Sequence, residues 1–232
     1  MNAVRTARER VRAELIREIK DEARRQLATA SAGGLSLRAV ARELGMASSA
    51  LYRYFPSRDD LLTALIIDAY DALGEAVEQA DAAAPKADAR ARWMACCHAV
   101  RDWAKAQPHE YALIYGSPVP GYQAPEDTIS AAARVPLMMI EILRDEHAAG
   151  RLAEPTGAPL TPTLLRQAKE VGEQIARGLP AEVLVAAIIA WTQLFGTVSF
   201  ELFGQYVGSV DPTDEFFAAT ANRMADLVGL PA

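Results

Sequence analysis

The chain has 232 residues, 51% of them hydrophobic, and alanine, leucine and short apolar runs dominate over β-branched alternation. This length allows one large or two small domains, and the missing alternation predicts an all-α fold rather than a β-sheet protein. The net charge of −6 is uneven: residues 1–58 carry twelve Arg and Lys against six acidic residues, or +6, which leaves −12 for the rest. A basic end on an acidic body is typical of a polyanion-binding module joined to a second domain; a solvated helix that leans positive is the alternative.

Secreted and membrane-spanning classes are excluded by three features. Cys96 and Cys97 are adjacent, so they form no disulfide framework and indicate a reduced cytoplasmic protein. The N-terminus is charged throughout and lacks the apolar core of a signal peptide. The most apolar run, Val183–Trp191, is far shorter than the ~20 residues that a bilayer requires, so it predicts a buried helix and no membrane association.

The first two predicted helices are separated by small residues. Apolar side chains at helical spacing predict a first helix over Thr6–Thr29, which Ala32-Gly33-Gly34 ends. Ser36 caps a short second helix that runs to Leu44. Gly45 ends this helix because glycine adopts the left-handed conformation without steric cost.

The next two helices are marked by a proline and a cap. A third helix covers about Ala47–Tyr54 and closes before Pro56, since the residue before a proline is disfavoured in the helical region. Ser57 and Asp60 have the spacing of a capping box for a fourth helix, which runs to about Ala80.

The alanine-rich segment 81–85 is the predicted junction between two domains. We assign residues 1–58 to a helix-turn-helix domain, 58–80 to a connecting helix and 81–232 to a second helical domain. The helices predicted beyond the junction are Lys86–Ala106, His109–Tyr115, Thr128–Ala149, Pro162–Arg177, Ala181–Gly204 and Thr213–Val228.

The second and third helices carry the pattern that points to function. A short helix, a glycine turn and another short helix form the helix-turn-helix plan, whose second helix enters the DNA major groove. Apolar positions pack the two helices together and leave polar side chains outside: Ser48, Ser49, Tyr52, Arg53 and Tyr54. Tyrosine, serine and arginine can reach phosphates, which set register, or base edges, which set sequence preference.

The order Ser36-x-x-x-Val40-Ala41-x-x-Leu44-Gly45-Met46-Ala47-x-x-x-Leu51-Tyr52-x-Tyr54-Phe55-x-x-Arg58-x-x-Leu61 resembles the N-terminal signature of the tetracycline-repressor (TetR) family. The match covers about Val4–Val77, and a three-helix bundle with a polar face is the competing interpretation. The resemblance implies that double-stranded DNA is contacted by Ser36, Arg38, Ala47, Ser48, Ser49, Ala50, Tyr52, Arg53, Tyr54 and Arg58. Within this set Arg38 is the candidate guanine contact and Arg58 a phosphate contact.

Two details of the N-terminal region stay open. Ala47 replaces the serine or threonine that usually caps the recognition helix in this family, and we expect Ser48 to take over the cap and shift the helix start by one residue. Arg5, Arg8 and Arg10 either contact the minor groove or phosphates, or belong to a solvated terminus.

The C-terminal half also contains sequence segments that resemble a known family. The segment from Trp103 to Tyr122 and the segment Trp191-Thr-Gln-Leu-Phe195-Gly196 resemble TetR-type regulators with a Trp-His-Gly C-terminal domain. Phe195 stands where that name expects histidine, which favours a more apolar pocket. The family plan implies a homodimer through the last two helices, with internal core as the alternative for Val183, Leu184, Ala187, Ile188, Phe216, Phe217, Ala221 and Met224.

The same plan implies a pocket for a small apolar or amphipathic effector in the second domain. Such sites are apolar cavities with a few polar groups, and methionine suits a site with loose shape requirements. The candidate lining residues, for which plain core is the alternative, are Trp93, Cys97, His98, Tyr111, Tyr115, Met138, Met139, Trp191 and Phe195.

Enzyme chemistry has little support in this sequence. The three histidines lack metal-ligand spacing, phosphate-binding glycine loops and a Gly-x-Ser-x-Gly elbow are missing, and no cofactor is indicated. The sequence thus predicts a cytoplasmic bacterial transcription regulator, a homodimeric repressor that an effector releases from a pseudo-palindromic operator. The alternatives are a helical adaptor that binds protein through Tyr52-Arg53-Tyr54, and an all-α enzyme that depends on His98 or Asp102.

Overall fold

The computed structural model describes residues 7–29, 34–155 and 158–231, and every regular element in these ranges is helical. The predicted all-α fold is therefore confirmed. The helices are α1 (Ala7–Thr29), α2 (Leu37–Glu43), α3 (Ser48–Leu51), α4 (Arg58–Ala83), α5 (Ala89–Ala106), α6 (Pro108–Tyr115), α7 (Asp127–Ala132), α8 (Arg134–Ala148), α9 (Pro162–Ile175), α10 (Ala181–Leu202) and α11 (Thr213–Leu227). The predicted stop at Ala32-Gly33 and the predicted start at Thr6 lie outside the described residues.

Two helices differ from their predicted form. The third is a single α-turn, α3, which continues as hydrogen-bonded turns to Tyr54 rather than as a regular helix. The predicted helix Thr128–Ala149 is divided at Ala133 into α7 and α8. Pro136 gives the physical reason, because it has no N–H for the carbonyl four residues earlier and its ring crowds that carbonyl. The proline is tolerated in the first turn of α8, where backbone N–H groups need no intrahelical acceptor.

The chain forms two compact units, Met1–Ala69 with His109–Ile129 and Tyr70–Pro108 with Ser130–Ala232. Helix α4 is continuous through the boundary at Ala69. In the first unit, α1 and α3 pack on α2. Its fully buried apolar side chains include Ile19, Val40, Leu51, Leu61, Leu62 and Tyr111. The functional division proposed at residues 58 and 81 is a separate matter and stays a prediction.

In the second unit, α5 packs against α8, α10 and α11, and α10 also packs against α9. The core between these helices contains Trp93, Ile142, Leu143, Leu184 and Phe217, each no more than 1% exposed. A buried guanidinium adds a polar anchor: Arg101 of α5 donates to both carboxylate oxygens of Glu201 at 2.6 Å and to Asp214 at 2.5 Å. The same group lies 5.0 Å from the ring centre of Phe217.

Helix α10 is long and apolar enough to cross a membrane by length and composition alone, and 50% of its apolar window is buried within the protein. The predicted buried run Val183–Trp191 lies inside it. Buried side chains such as Leu184 and Leu194 alternate with exposed ones such as Ile188 and Phe200. One face of α10 is thus core of the second unit, and the other is exposed and mostly apolar, with Thr192 and Gln193 among its residues.

Candidate nucleic-acid interface

Helix α2 begins and ends as the sequence predicts. The Ser36 hydroxyl accepts the Ala39 N–H at 3.4 Å, which is an N-cap contact. At the other end Gly45 has φ +64°, and its N–H donates to Arg42 while the Met46 N–H donates to Ala41 at 2.8 Å. This pair of hydrogen bonds is a Schellman motif, whose left-handed residue favours glycine. The local turn between α2 and α3 is therefore dictated by one residue.

The two short helices are joined by a small apolar core. Val40, Ala41 and Leu51 are fully buried, and Phe55, just after α3, is 7% exposed. Because Leu51 is held inward, the residues two positions before and two positions after it, Ser49 and Arg53, point away from α2, and both are exposed. The packing of one leucine thus sets which face of α3 is presented outside.

The outward face consists mostly of predicted DNA contacts. Ala47, Ser48, Ser49 and Arg53 are exposed, and Tyr52 is 42% exposed although large aromatic side chains are usually buried. Arg38 is exposed at the start of α2. The remaining members of the predicted set are half-buried: Ser36, Ala50, Tyr54 and Arg58.

The predicted cap at Ser48 is wrong. Ala47 occupies the N-cap position with φ −64° and ψ 133°, and it makes no side-chain hydrogen bond. Its carbonyl already accepts the Ala50 N–H at 2.9 Å, so the backbone enters the helix at Ala47 and Ser48 becomes the first helical residue. The hydroxyl of Ser48 consequently lies on the exposed surface instead of satisfying the helix end.

Tyr54 is packed by an arginine from α1. The guanidinium of Arg12 lies 5.0 Å from the centre of the Tyr54 ring, the geometry of a cation–π contact. This contact links α1 to residues 48–54, here called the recognition segment, and it was not predicted because Arg12 and Tyr54 are distant in sequence. Arg8 and Arg10 are exposed on α1, whereas Arg5 lies outside the described residues.

The start of α4 follows the recognition segment closely. The Ser57 hydroxyl accepts the Asp60 N–H at 3.1 Å and donates to the Asp60 carboxylate at 2.7 Å. The predicted N-cap is therefore present. In a capping box the Asp60 carboxylate would accept the backbone N–H of Ser57, but here it accepts the Ser57 hydroxyl instead. Arg58 is consequently the first residue of α4, seven positions after the end of α3 at Leu51.

Not all of the basic residues counted in 1–58 are free for a polyanion. Lys20 pairs with Asp68 at 2.7 Å, and Arg24 pairs with Asp21, Asp68 and Glu110 at 2.7 to 2.8 Å. Two of these acids lie beyond residue 58, so the local sequence balance overstates the available positive charge. The exposed arginines near α2 and α3 are therefore the better candidates for phosphate contacts.

The nine predicted effector residues are divided between the two units. Tyr111 and Tyr115 belong to the first unit, with ring centres 5.2 Å apart. The other seven belong to the second unit, where Trp93, Cys97, Met139 and Phe195 are at most 7% exposed. His98 is half-buried and its ring meets Phe217 edge-on at 5.3 Å.

The cysteines are unsuited to reactive chemistry. Both are free, buried thiols. Burial raises the pKa of Cys96 to about 12 and raises the pKa of Cys97 further above its ordinary value. A thiol that stays protonated is a poor nucleophile, so these residues act as small apolar core side chains.

An apolar cavity of about 160 Å³ lies between α8, α9 and α10. Of the predicted effector residues it includes only Met139 and Trp191. Its full lining is Pro136, Met139, Ile140, Ile175, Leu184, Ala187, Ile188 and Trp191. Small-molecule sites commonly measure ~300–1,000 Å³, so the cavity as it stands would take no more than a small fragment.

The predicted dimer residues need correction. Six of the eight are at most 8% exposed and belong to the core of their own unit: Val183, Leu184, Ala187, Phe217, Ala221 and Met224. Only Ile188 and Phe216 are exposed, at 44% and 40%. The structure favours the core alternative for these six. Large apolar side chains lie on both faces of α10, so its sequence does not say which face is core, and Phe217, Ala221 and Met224 form the buried side of α11.

Comparison with known proteins agrees with this architecture. Residues 93–224 match the family model described as tetracyclin repressor-like, C-terminal domain, and residues 19–65 match the model for bacterial regulatory proteins, tetR family. The chain is 38% identical to the HTH-type transcriptional regulators Rv1816 of Mycobacterium tuberculosis and Mb1846 of Mycobacterium bovis, over 96% of this chain and 94% of theirs. The crystal structure of SCO4313 shares 36% identity and a TM-score of 0.77, covering 95% of this chain and all of that one.

The fold and the site define a helix-turn-helix regulator. The chain belongs to the TetR family, and the predicted family resemblance is confirmed. The family consists of transcriptional regulators, so the regulator interpretation holds against the enzyme alternative. The domain description does not name the Trp-His-Gly type, and that finer resemblance stays a prediction.

Proposed function

We propose that the protein is a cytoplasmic homodimeric repressor that binds a pseudo-palindromic operator through α2 and α3 and leaves it when a small molecule binds the second unit. One observation carries the DNA-binding proposal: buried Leu51 and the Gly45 turn hold Ser48, Ser49 and Tyr52 on an exposed face. In a TetR-family regulator, this is the face that would enter the DNA major groove.

Each part of this face suits a different part of DNA. Ser48 and Ser49 are small and exposed, so the helix backbone can approach base edges closely. Tyr52 and Arg53 are longer, and their hydroxyl and guanidinium groups suit phosphates that fix the register. A homodimer would place two such faces ~34–36 Å apart, the spacing of successive major-groove turns.

The exposed face of α10 supports a dimer through this helix. Ile188, Ile189, Phe200 and Phe203 are 44 to 53% exposed along one side, and Phe216 of α11 is 40% exposed. Gly196 lies between them on the same side, and open space surrounds the position of a Cβ there. A glycine at that point lets the backbone of a second helix approach closely, while the aromatic side chains supply buried apolar area.

The effector proposal is supported by the apolar character of the second unit. The cavity with Met139 and Trp191 has no charged residue in its lining, which favours a small apolar or amphipathic molecule. Such a molecule can release DNA only if it binds the DNA-free conformation more tightly than the DNA-bound one. We propose that its binding moves α5 and α4 and so changes the spacing of the two recognition segments.

The test of this function is selection of bound fragments from the chromosome of the source organism, followed by salt titration. The logarithm of DNA affinity should fall linearly with the logarithm of salt concentration, with a slope of about −0.9 for each phosphate neutralised. Metabolite extracts that release the selected fragments would then identify the effector. Failure to enrich any fragment at low salt would contradict the function and favour the helical adaptor.

The Arg38→Ala variant should lose sequence discrimination at one base pair of each half-site. Arg38 is exposed at the start of α2, and an arginine that binds guanine is worth about 1–3 kcal/mol of discrimination. Competition binding with single-base variants of a selected fragment measures this quantity. An equal loss on all sequences would instead assign Arg38 to a phosphate.

A further inference from the structure

Helix α8 is joined to α4 by one arginine. Arg134, the first residue of α8, donates to both carboxylate oxygens of Glu78 at 2.8 and 2.7 Å. Its other terminal nitrogen donates to the carbonyl and to the carboxylate of Asp71, each at 2.9 Å. Hydrogen bonding to Arg134 lowers the pKa of Glu78, so this carboxylate stays charged. One side chain thus makes four directed contacts to two turns of α4.

A glycine in α4 makes room for this arginine. Asp71, Gly74 and Glu78 are three and four residues apart, so they lie on one face of α4. A Cβ at Gly74 would lie 2.6 Å from Nε and 2.9 Å from two carbons of the Arg134 side chain. Glycine is unfavourable inside a helix, and its presence here is explained by the path of Arg134 across α4.

A second tie joins the same two helices through α5. Arg92 donates to Asp81 at the end of α4 at 2.7 Å and to Asp145 near the end of α8 at 3.0 Å. Arg92 and Asp81 are buried, so this link has a fixed geometry. The part of α4 beyond Tyr70 is therefore bound to α8 near both of its ends, directly by Arg134 and through α5 by Arg92.

We propose that Arg134 is a positioning residue for DNA binding, because it fixes the direction of α4 from α8. This inference rests on the proposed function. Helix α4 runs without a break from Arg58, which follows the recognition segment in sequence, to Ala83, so residues 71–78 belong to the same helix as Arg58. An effector that displaces α8 would act on α4 through the same side chain.

The contribution of Arg134 to folding stability is expected to be small. The Arg134 side chain is 28% exposed and its partners Asp71 and Glu78 are 51% and 40% exposed, and ion pairs of this kind contribute little to folding stability. A four-contact arginine fork is nonetheless strongly directional. Its loss should therefore affect the orientation of α4 more than the stability of the fold.

The experiment compares Arg134→Met with the matched variant Arg144→Met in the full-length protein. Arg144 lies on the same helix and pairs only locally with Glu141 at 3.5 Å. We expect Arg134→Met to weaken binding to a selected operator fragment by about 10-fold, within the usual 5–150-fold range of coupling between sites. The salt slope should not change, since no phosphate contact is removed, and Arg144→Met should bind as the wild type does.

Gly74→Ala gives a second variant that keeps every charge. The new methyl group should displace the Arg134 side chain from Asp71 and Glu78 and weaken operator binding by a similar factor. In the Arg134→Met background, Gly74→Ala should cause no further loss of affinity. Wild-type affinity for both Arg134→Met and Gly74→Ala, or an equal loss in Arg144→Met, would overturn the inference while leaving the proposed function intact. A wild-type chain that binds no fragment would overturn the proposed function itself, and the inference with it.

Discussion

Replacing Phe200 with aspartate should separate the dimer and weaken operator binding by at least about 30-fold. Phe200 is 53% exposed on the apolar face of α10, a large aromatic side chain of the kind that dominates subunit interfaces. Removal of such an anchor costs about 2–4 kcal/mol, and a carboxylate at its place adds a desolvation cost. A monomer presents one recognition segment, so the binding of the second half-site is lost as well.

The Phe200 prediction has a matched control in Ile129. This residue is 63% exposed and apolar, but it belongs to the first unit. Ile129→Asp should stay a dimer in sedimentation velocity at micromolar concentration, whereas Phe200→Asp should sediment as a monomer. If both variants sediment as dimers, the proposal that the exposed face of α10 forms the dimer interface is contradicted.

Arg101→Ala should lower the free energy of unfolding by about 3 kcal/mol, the usual cost of breaking a buried ion pair. The Arg101 side chain is 6% exposed and that of Glu201 is 13% exposed, so truncation leaves a largely buried carboxylate whose remaining charge partner is Lys105 at 3.5 Å. The contact with Phe217 would be lost too. Chemical denaturation measures the difference. Arg144→Ala, which removes an exposed local pair, should change stability by less than about 0.5 kcal/mol, and equal values for the two variants would contradict the prediction.

The ion pairs of Arg101 with Glu201 and Asp214 make the free energy of unfolding depend on pH in a defined direction. Hydrogen bonding to Arg101 lowers the pKa of Glu201 from its ordinary 4.5, and it lowers the pKa of Asp214 as well. A folded-state pKa below the unfolded value stabilises the protein above the unfolded pKa, and this stabilisation is lost as pH falls through the folded pKa. Stability should therefore decline on acidification below about pH 4.5, and this part of the decline should be smaller in Arg101→Ala.

Local chemistry explains why much of the fold could be predicted. The cap at Ser36, the left-handed Gly45 and the cap at Ser57 each act within a few residues, so their effects are visible in sequence. The break between α7 and α8 was also encoded locally, by Pro136, but the apolar periodicity on either side of it outweighed that signal in the prediction.

The remaining features depend on contacts between distant residues. Arg134 meets Asp71 and Glu78 across more than fifty positions, and Arg12 meets Tyr54 across more than forty. No spacing rule predicts such pairs. Both faces of α10 carry large apolar side chains, so only the packed structure shows that Leu184 is core and Phe200 is exposed.

The most direct test of a dimeric reader of DNA is the composition of its complex with a selected fragment. Analytical ultracentrifugation combined with footprinting should find two chains per duplex, protecting two half-sites one helical turn apart, about 10 base pairs centre to centre or a multiple of that spacing. A single chain per duplex with one protected half-site, or uniform protection without sequence preference, would contradict it.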